Sequence, residues 1–112
     1  MRAVITGARG FVGPHLAAHL EAQGDVVTGL DFAGPERFDV TDADGVRGHL
    51  DAIAPEVVYH LAALSHVGES WANPSVQLRV NAEGTLNVVA AAAALGIRRV
   101  VVIRSEEHTS EL

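Results

Sequence analysis

At 112 residues the chain has room for one hydrophobic core and is too short for a cofactor domain with a full substrate domain beside it. Apolar residues make up 48% and aromatics only 4%, which suits helices layered on a sheet better than an aromatic-rich β-sandwich. A formal net charge of −6 and the absence of cysteine argue against nucleic acid as the primary partner and exclude a disulfide framework and a thiolate metal site.

In chain order, residues 2–6, "RAVIT", are short, apolar and β-branched and run into Gly7 as a buried strand does. The opening residues lack the apolar stretch of a secretory signal and no apolar run approaches membrane-spanning length, so a soluble cytoplasmic protein without membrane contact is expected. From Phe11 to Gln23, Val12, Leu16, Ala17 and Leu20 recur at helical spacing, with Pro14 suited to the first turn and Gly24 to the C-terminal cap. "DVVTGL" (25–30) predicts a second strand ending at Asp31. Thr41 or Asp42 can cap a helix over 43–53 that Pro55 ends, although Gly45 and Gly48 weaken it. "EVVYHLAA" (56–63) predicts a third strand. Asn73 and Pro74 open a long helix to Leu95, closed by Gly96, and "RRVVVI" (98–103) predicts a fourth strand. Strands alternating with helices through short connections, joined by right-handed crossovers, predict an α/β, Rossmann-like doubly wound parallel sheet, cut short after about four strands.

"TGARGFVG" sets Gly7, Gly10 and Gly13 between the first strand and first helix. Glycines there let the chain turn sharply, bring its amides to a pyrophosphate without Cβ obstruction, and present a helix N-terminus to negative charge. A glycine triplet alone is a weak signal, and these residues could serve only the turn and its packing. The context strengthens it: Asp31 follows about 20 residues on, at the end of the second strand, where a carboxylate can accept from a ribose diol. The same carboxylate repels a 2′-phosphate, which favours NAD over NADP, although Arg9 and Arg37 stand close enough in sequence to leave a phosphate contact open. His15 and His19 share a helix face without a third ligand in view, so no metal is expected.

These residues, with "DVTD" (39–42), "HLAALSHVGESW" (60–71) and "VNAEGTLNVV" (80–89), resemble the extended short-chain dehydrogenase/reductases, the NAD-dependent epimerase/dehydratase family that acts on nucleotide sugars. The resemblance runs from residue 1 to about 103. It implies that Gly7, Gly10, Phe11, Val12 and Gly13 line the pyrophosphate, that Asp31 holds the adenosine ribose, and that Asp39 and Val40 meet the adenine. It places Leu61, Ala62 and Ala63 under the cofactor, Ser65 at the cofactor's edge, and Asn81 in support of the active-site strand. Asp39 could instead be a turn acid, Ala62 and Ala63 small for packing, His66 a solvated loop residue, and Trp71 a packing residue. Within the family, the short segment after the second strand and "LAALSHVGESW" look most like the GDP-mannose dehydratases and GDP-6-deoxy-4-keto-mannose reductases. A homodimeric parent that binds a dinucleotide and a nucleotide-diphosphate sugar is implied.

The family's chemistry also calls for a tyrosine, a lysine four residues later and a Ser or Thr hydroxyl. The single tyrosine here is Tyr59, Ala63 stands four residues on, and all eight basic residues are arginine. No catalytic residue is therefore assigned, and Ser105 is a poor fit to the family hydroxyl. The closing "RSEEHTSEL" (104–112) equals the translation of AGA TCG GAA GAG CAC ACG TCT GAA CTC, the start of an adapter widely ligated to DNA fragments for sequencing. Although "SEE" and "TSEL" also resemble family phrases, only the adapter accounts for all nine residues. The expected organisation is a partial dinucleotide-binding domain over 1–103 and a non-native tail. The reading is the dinucleotide-binding portion of a nucleotide-sugar epimerase, dehydratase or reductase, inactive by itself; a non-catalytic NAD-sensing module is the alternative, and a structural interaction domain a weaker third.

Overall fold

The structure, a computed structural model, describes residues 1–35, 37–61 and 74–103, without the side chains of 74 and 76–78. Its elements follow in the order β1 (Arg2–Thr6), α1 (Gly13–Ala22), β2 (Val26–Leu30), α2 (Ala43–Ile53), β3 (Val57–His60), α3 (Pro74–Leu95) and β4 (Arg99–Val102). All strand pairs are parallel, and the sheet order is β2-β1-β3-β4.

That order fixes where the helices go. The chain moves outward from β1 to β2, then crosses back over β1 to β3 and on to β4. Right-handed crossovers in opposite directions put their helices on opposite faces of the sheet. The packing agrees, since Ala3 and Ile5 of β1 pack with Leu16, Ala17 and Leu20 of α1. Val4, pointing the other way, packs with Val46 and Leu50 of α2 and Val88 and Ala91 of α3. Alternate residues of one strand thus serve two cores, which is why β1 reads as an unbroken apolar run.

Element ends follow local chemistry. α1 begins two residues later than the apolar period predicts, because the residues before Gly13 are spent on the glycine turn. α2 starts where the Asp42 carboxylate accepts from the Gly45 amide at 3.1 Å. It stops at Ala54, whose left-handed φ of 52° ends the helix just before Pro55, a residue that disfavours continued helix in its predecessor. Gly24 and Gly96 close α1 and α3 with φ of 95° and 73°, as the C-terminal position requires. β3 pairs only through His60, shorter than the predicted 56–63. Leu61 still sends its amide to the Thr6 carbonyl at 3.0 Å, and 62–63 lie outside the described residues. The register sets Thr6 opposite both Leu30 and His60, and His60 opposite Val102. The residues leaving the strands, Gly7, Asp31, Leu61 and Ile103, therefore emerge side by side at the carboxyl edge.

Candidate functional site

The sheet order reverses between β1 and β3, and a crevice at the carboxyl ends of the strands is expected at that point. Gly7, the first residue past β1, has φ of 72°, a conformation that a side chain resists. Its amide and that of Ala8 both go to the Leu30 carbonyl, at 2.8 and 3.2 Å, and the Gly10 amide returns to the Gly7 carbonyl at 3.1 Å. Gly13 lies so close to Ala8 that a Cβ there would collide with the Ala8 carbonyl. Ala8 in turn sits over β2, where a Cβ on Gly29 would come within 2.7 Å of the Ala8 methyl. The triplet is thus a tightly folded turn wedged between α1 and β2.

This turn leaves α1 with an unusual start. Val12 occupies the N-cap position without a side-chain hydrogen bond, and no acid stands in the first turn. The first amides of any helix lack partners within it and carry partial positive charge. α2 satisfies that end with Asp42 and adds Asp44, whereas α1 leaves it uncovered beside Phe11, which is 90% exposed. The arrangement fits a bound diphosphate.

Asp31 joins this turn to the next loop. One carboxylate oxygen accepts from the Arg9 amide at 2.9 Å and the other from the Ala33 amide at 3.0 Å. Each oxygen retains a second acceptor site, as binding a ribose diol requires. The backbone then folds back, with the Gly34 and Phe38 amides both donating to the Asp31 carbonyl and the Arg37 guanidinium stacked 4.8 Å over the Phe32 ring. This brings Asp39 and Val40 to the same edge. Asp39 is exposed and one of its oxygens accepts from the Thr41 amide and hydroxyl, at 2.9 and 2.7 Å. The turn role expected as the plain alternative for Asp39 is therefore present, and both of these hydrogen bonds fall on one carboxylate oxygen.

Leu61 is buried at 2% exposure with the core under α1, so it forms floor rather than wall. Asn81 is half-buried on α3, one turn before Thr85. Ala62, Ala63, Ser65, His66 and Trp71 lie outside the described residues. Beneath the glycine turn is a feature that the sequence did not single out. The Thr6 hydroxyl and His60 Nδ1 share a buried hydrogen bond of 2.7 Å, and His60 Nε2 reaches the Thr85 hydroxyl at 3.1 Å. Burial lowers the His60 pKa to about 4, so the imidazole is neutral at ordinary pH. A lone histidine amid "VVYHLAA" was the available signal.

Gly84 is the second such feature. A Cβ there would come within 2.6 Å of the Val40 side chain, and Asn87 donates its side-chain amide to the Val40 carbonyl at 3.0 Å. Glycine inside a helix costs about 1 kcal/mol relative to alanine, which flags close packing. Among the described residues no group of three or more His, Cys, Asp or Glu could hold a metal ion, and no helix is long and apolar enough to cross a membrane.

A sequence profile of the NAD dependent epimerase/dehydratase family matches residues 3–111. The chain belongs to this family. It is 36% identical to the UDP-glucose 4-epimerase of Mycolicibacterium smegmatis over 98% of its own length and 38% of that relative. It is 38% identical to the GDP-6-deoxy-D-mannose reductase of Pseudomonas aeruginosa over 85% of its length and 30% of that relative. Among solved structures, the UDP-glucose 4-epimerase of Thermus thermophilus, in complex with NAD, superposes with a TM-score of 0.79 at 31% identity. That match covers 89% of this chain and 36% of that one. This member of the epimerase/dehydratase family thus spans between 30% and 38% of the length of these relatives.

Proposed function

We propose that the chain is the dinucleotide-binding portion of an NAD-dependent nucleotide-sugar epimerase, dehydratase or reductase. The observation that carries this is the uncapped, acid-free start of α1, held by the glycine turn beside an Asp31 carboxylate that takes its amide bond from inside that turn. Anion and diol sites side by side are what a dinucleotide requires. Gly7, Gly10, Phe11, Val12 and Gly13 take the pyrophosphate, Asp31 the adenosine ribose, and Asp39 with Val40 the adenine. Leu61, Ala62 and Ala63 form the floor, Ser65 borders the nicotinamide, and Asn81 supports the strand beside it. The bound cofactor supplies hydride acceptance and return at a sugar carbon. NAD is preferred because Asp31 opposes a 2′-phosphate, and the NAD complex of the Thermus relative supports that choice.

Within the family, the reductase branch on GDP-linked deoxysugars is favoured by the short connection after β2. The alignments with the Pseudomonas reductase and with a dTDP-4-dehydrorhamnose reductase both run 95 residues over 85% of this chain, whereas the epimerase alignment extends to 127 residues over 98%. These lengths support a reductase, and the GDP-linked sugar rests on the sequence resemblance alone. The parent is a cytoplasmic homodimer. The 112-residue chain itself turns nothing over, since with no lysine it has no means of raising the acidity of a tyrosine, and residues 104–112 are adapter-derived. Hydride transfer by the purified chain with a GDP-, UDP- or dTDP-sugar would overturn that. The alternative is a non-catalytic NAD sensor, which keeps the glycine turn and dispenses with tyrosine and lysine. Reading the genomic locus past the codon for Ile103 separates the two: continuation into a Tyr-x-x-x-Lys motif removes the sensor, and a native stop after Leu112 removes the fragment.

Binding is tested by calorimetry with NAD and NADP. Wild type is expected to bind NAD more tightly, and Asp31→Asn to lose about tenfold in NAD affinity while narrowing the gap to NADP, as expected on removing a charged hydrogen-bond acceptor. Equal affinity for both cofactors in wild type would contradict the role of Asp31.

A further inference from the structure

The two features that the glycine motif did not announce meet on one turn of α3. Gly84 admits the Val40 side chain, and Asn87 holds the Val40 carbonyl. Both bear on the residue beside Asp39, whose side chain Thr41 locks in turn. Between them, Thr85 begins a line of polar groups through His60 to Thr6, the last residue before Gly7. Thr6 also receives the Leu61 amide on its carbonyl. His60 is 1% exposed and Thr6 is fully buried.

Two buried polar side chains and a half-buried third are a costly way to fill this space, because apolar residues of the same shape serve stability about as well. What a satisfied buried network adds is a fixed geometry. Here the fixed points are the root of the glycine turn and the exit of β3. We propose that Thr85 and Asn87 are positioning residues that set the two ends of the crevice. Thr85 acts through His60 on the pyrophosphate turn, and Asn87 acts through the Val40 carbonyl on the adenine segment. The proposal rests on the dinucleotide reading above and extends it to residues that touch no ligand.

The full chain, isotopically labelled, is titrated by NMR with NAD and separately with adenosine, which carries no phosphate. Asn87→Leu is expected to weaken both ligands by the same factor, about fivefold, in line with the loss of one hydrogen bond. Thr85→Val is expected to weaken NAD by a similar factor and adenosine hardly at all, and Thr85→Ser, which keeps the hydroxyl, to restore NAD binding. A uniform loss of both ligands in both variants, or a Thr85→Ser variant as weak as Thr85→Val, would show a merely structural role and overturn the proposal. If wild type binds neither ligand, the dinucleotide reading fails, and amide exchange still decides on positioning. Thr85→Val should then speed exchange at Gly7 and Leu61, and Asn87→Leu at Thr41 and Asp42; unchanged exchange at those amides overturns it.

Discussion

An imidazole at 1% exposure behaves as a neutral polar group, and His60 shows what that costs in acid. Desolvation lowers its pKa from 6.5 to about 4, so between those values the unfolded chain binds a proton that the folded chain refuses. Stability attributable to this site is complete above pH 6.5 and is lost as the pH falls towards 4, by roughly 3 kcal/mol across the window. Urea midpoints measured from pH 7 to pH 4 should therefore fall for wild type and fall less steeply for His60→Asn. Equal slopes would show that the unfolded and folded chains protonate His60 alike. The residue also marks a boundary of legibility. A histidine in an apolar strand is visible in the sequence, but its partners stand 54 and 25 residues away, and no local pattern names them. Asp31 was readable because the glycine-to-acid spacing is itself local to one strand-helix-strand unit.

At the scale of elements, α1 and α2 are opposite solutions to one problem. α2 covers its N-terminal amides with Asp42 and Asp44, which stabilises the helix by about 1 kcal/mol at the cap. α1 forgoes both, leaving charge for something else to meet. Val12→Asp separates the two demands. The new carboxylate should leave thermal stability unchanged or raise it by about 0.5 kcal/mol through the helix dipole. It should lower NAD affinity at least about tenfold by placing like charge beside the pyrophosphate. Calorimetry beside a thermal melt checks both, and an unaltered affinity would remove α1 from the site. Strand and helix order was legible throughout, since β-branched runs, capping residues and C-terminal glycines are local signals. The ends were not: α1 starts late because Ala8 must wedge between Gly13 and Gly29, a contact between separate elements.

For the whole molecule, the two faces of the sheet are unequally covered. α2 and α3 share one face and α1 serves the other, where Tyr59 and Val101 remain half-buried. Among the described residues β4 ends the sheet, paired with β3, and its Val102 is 39% exposed. An apolar edge strand invites pairing with another chain. The protein should self-associate with rising concentration in sedimentation velocity, and Val102→Lys should suppress this while changing stability by no more than about 0.5 kcal/mol. Self-association that ignores the lysine would locate the sticky surface elsewhere.

The fourth strand predicted over 98–103 is observed as β4, shortened to Arg99–Val102 and parallel to β3. By itself the amino-acid sequence determined the alternation of strands and helices, the glycine turn with its acid, and the absence of lysine from these 112 residues. These depend on residue type and short spacing, which fix backbone conformation and available functional groups. Only the tertiary structure decided that the strands end level, that α1 is left uncapped beside Asp31, and that one turn of α3 reaches both His60 of β3 and Val40. Those facts depend on register and helix packing, which bring together groups such as Asn87 and Val40 from 47 residues apart.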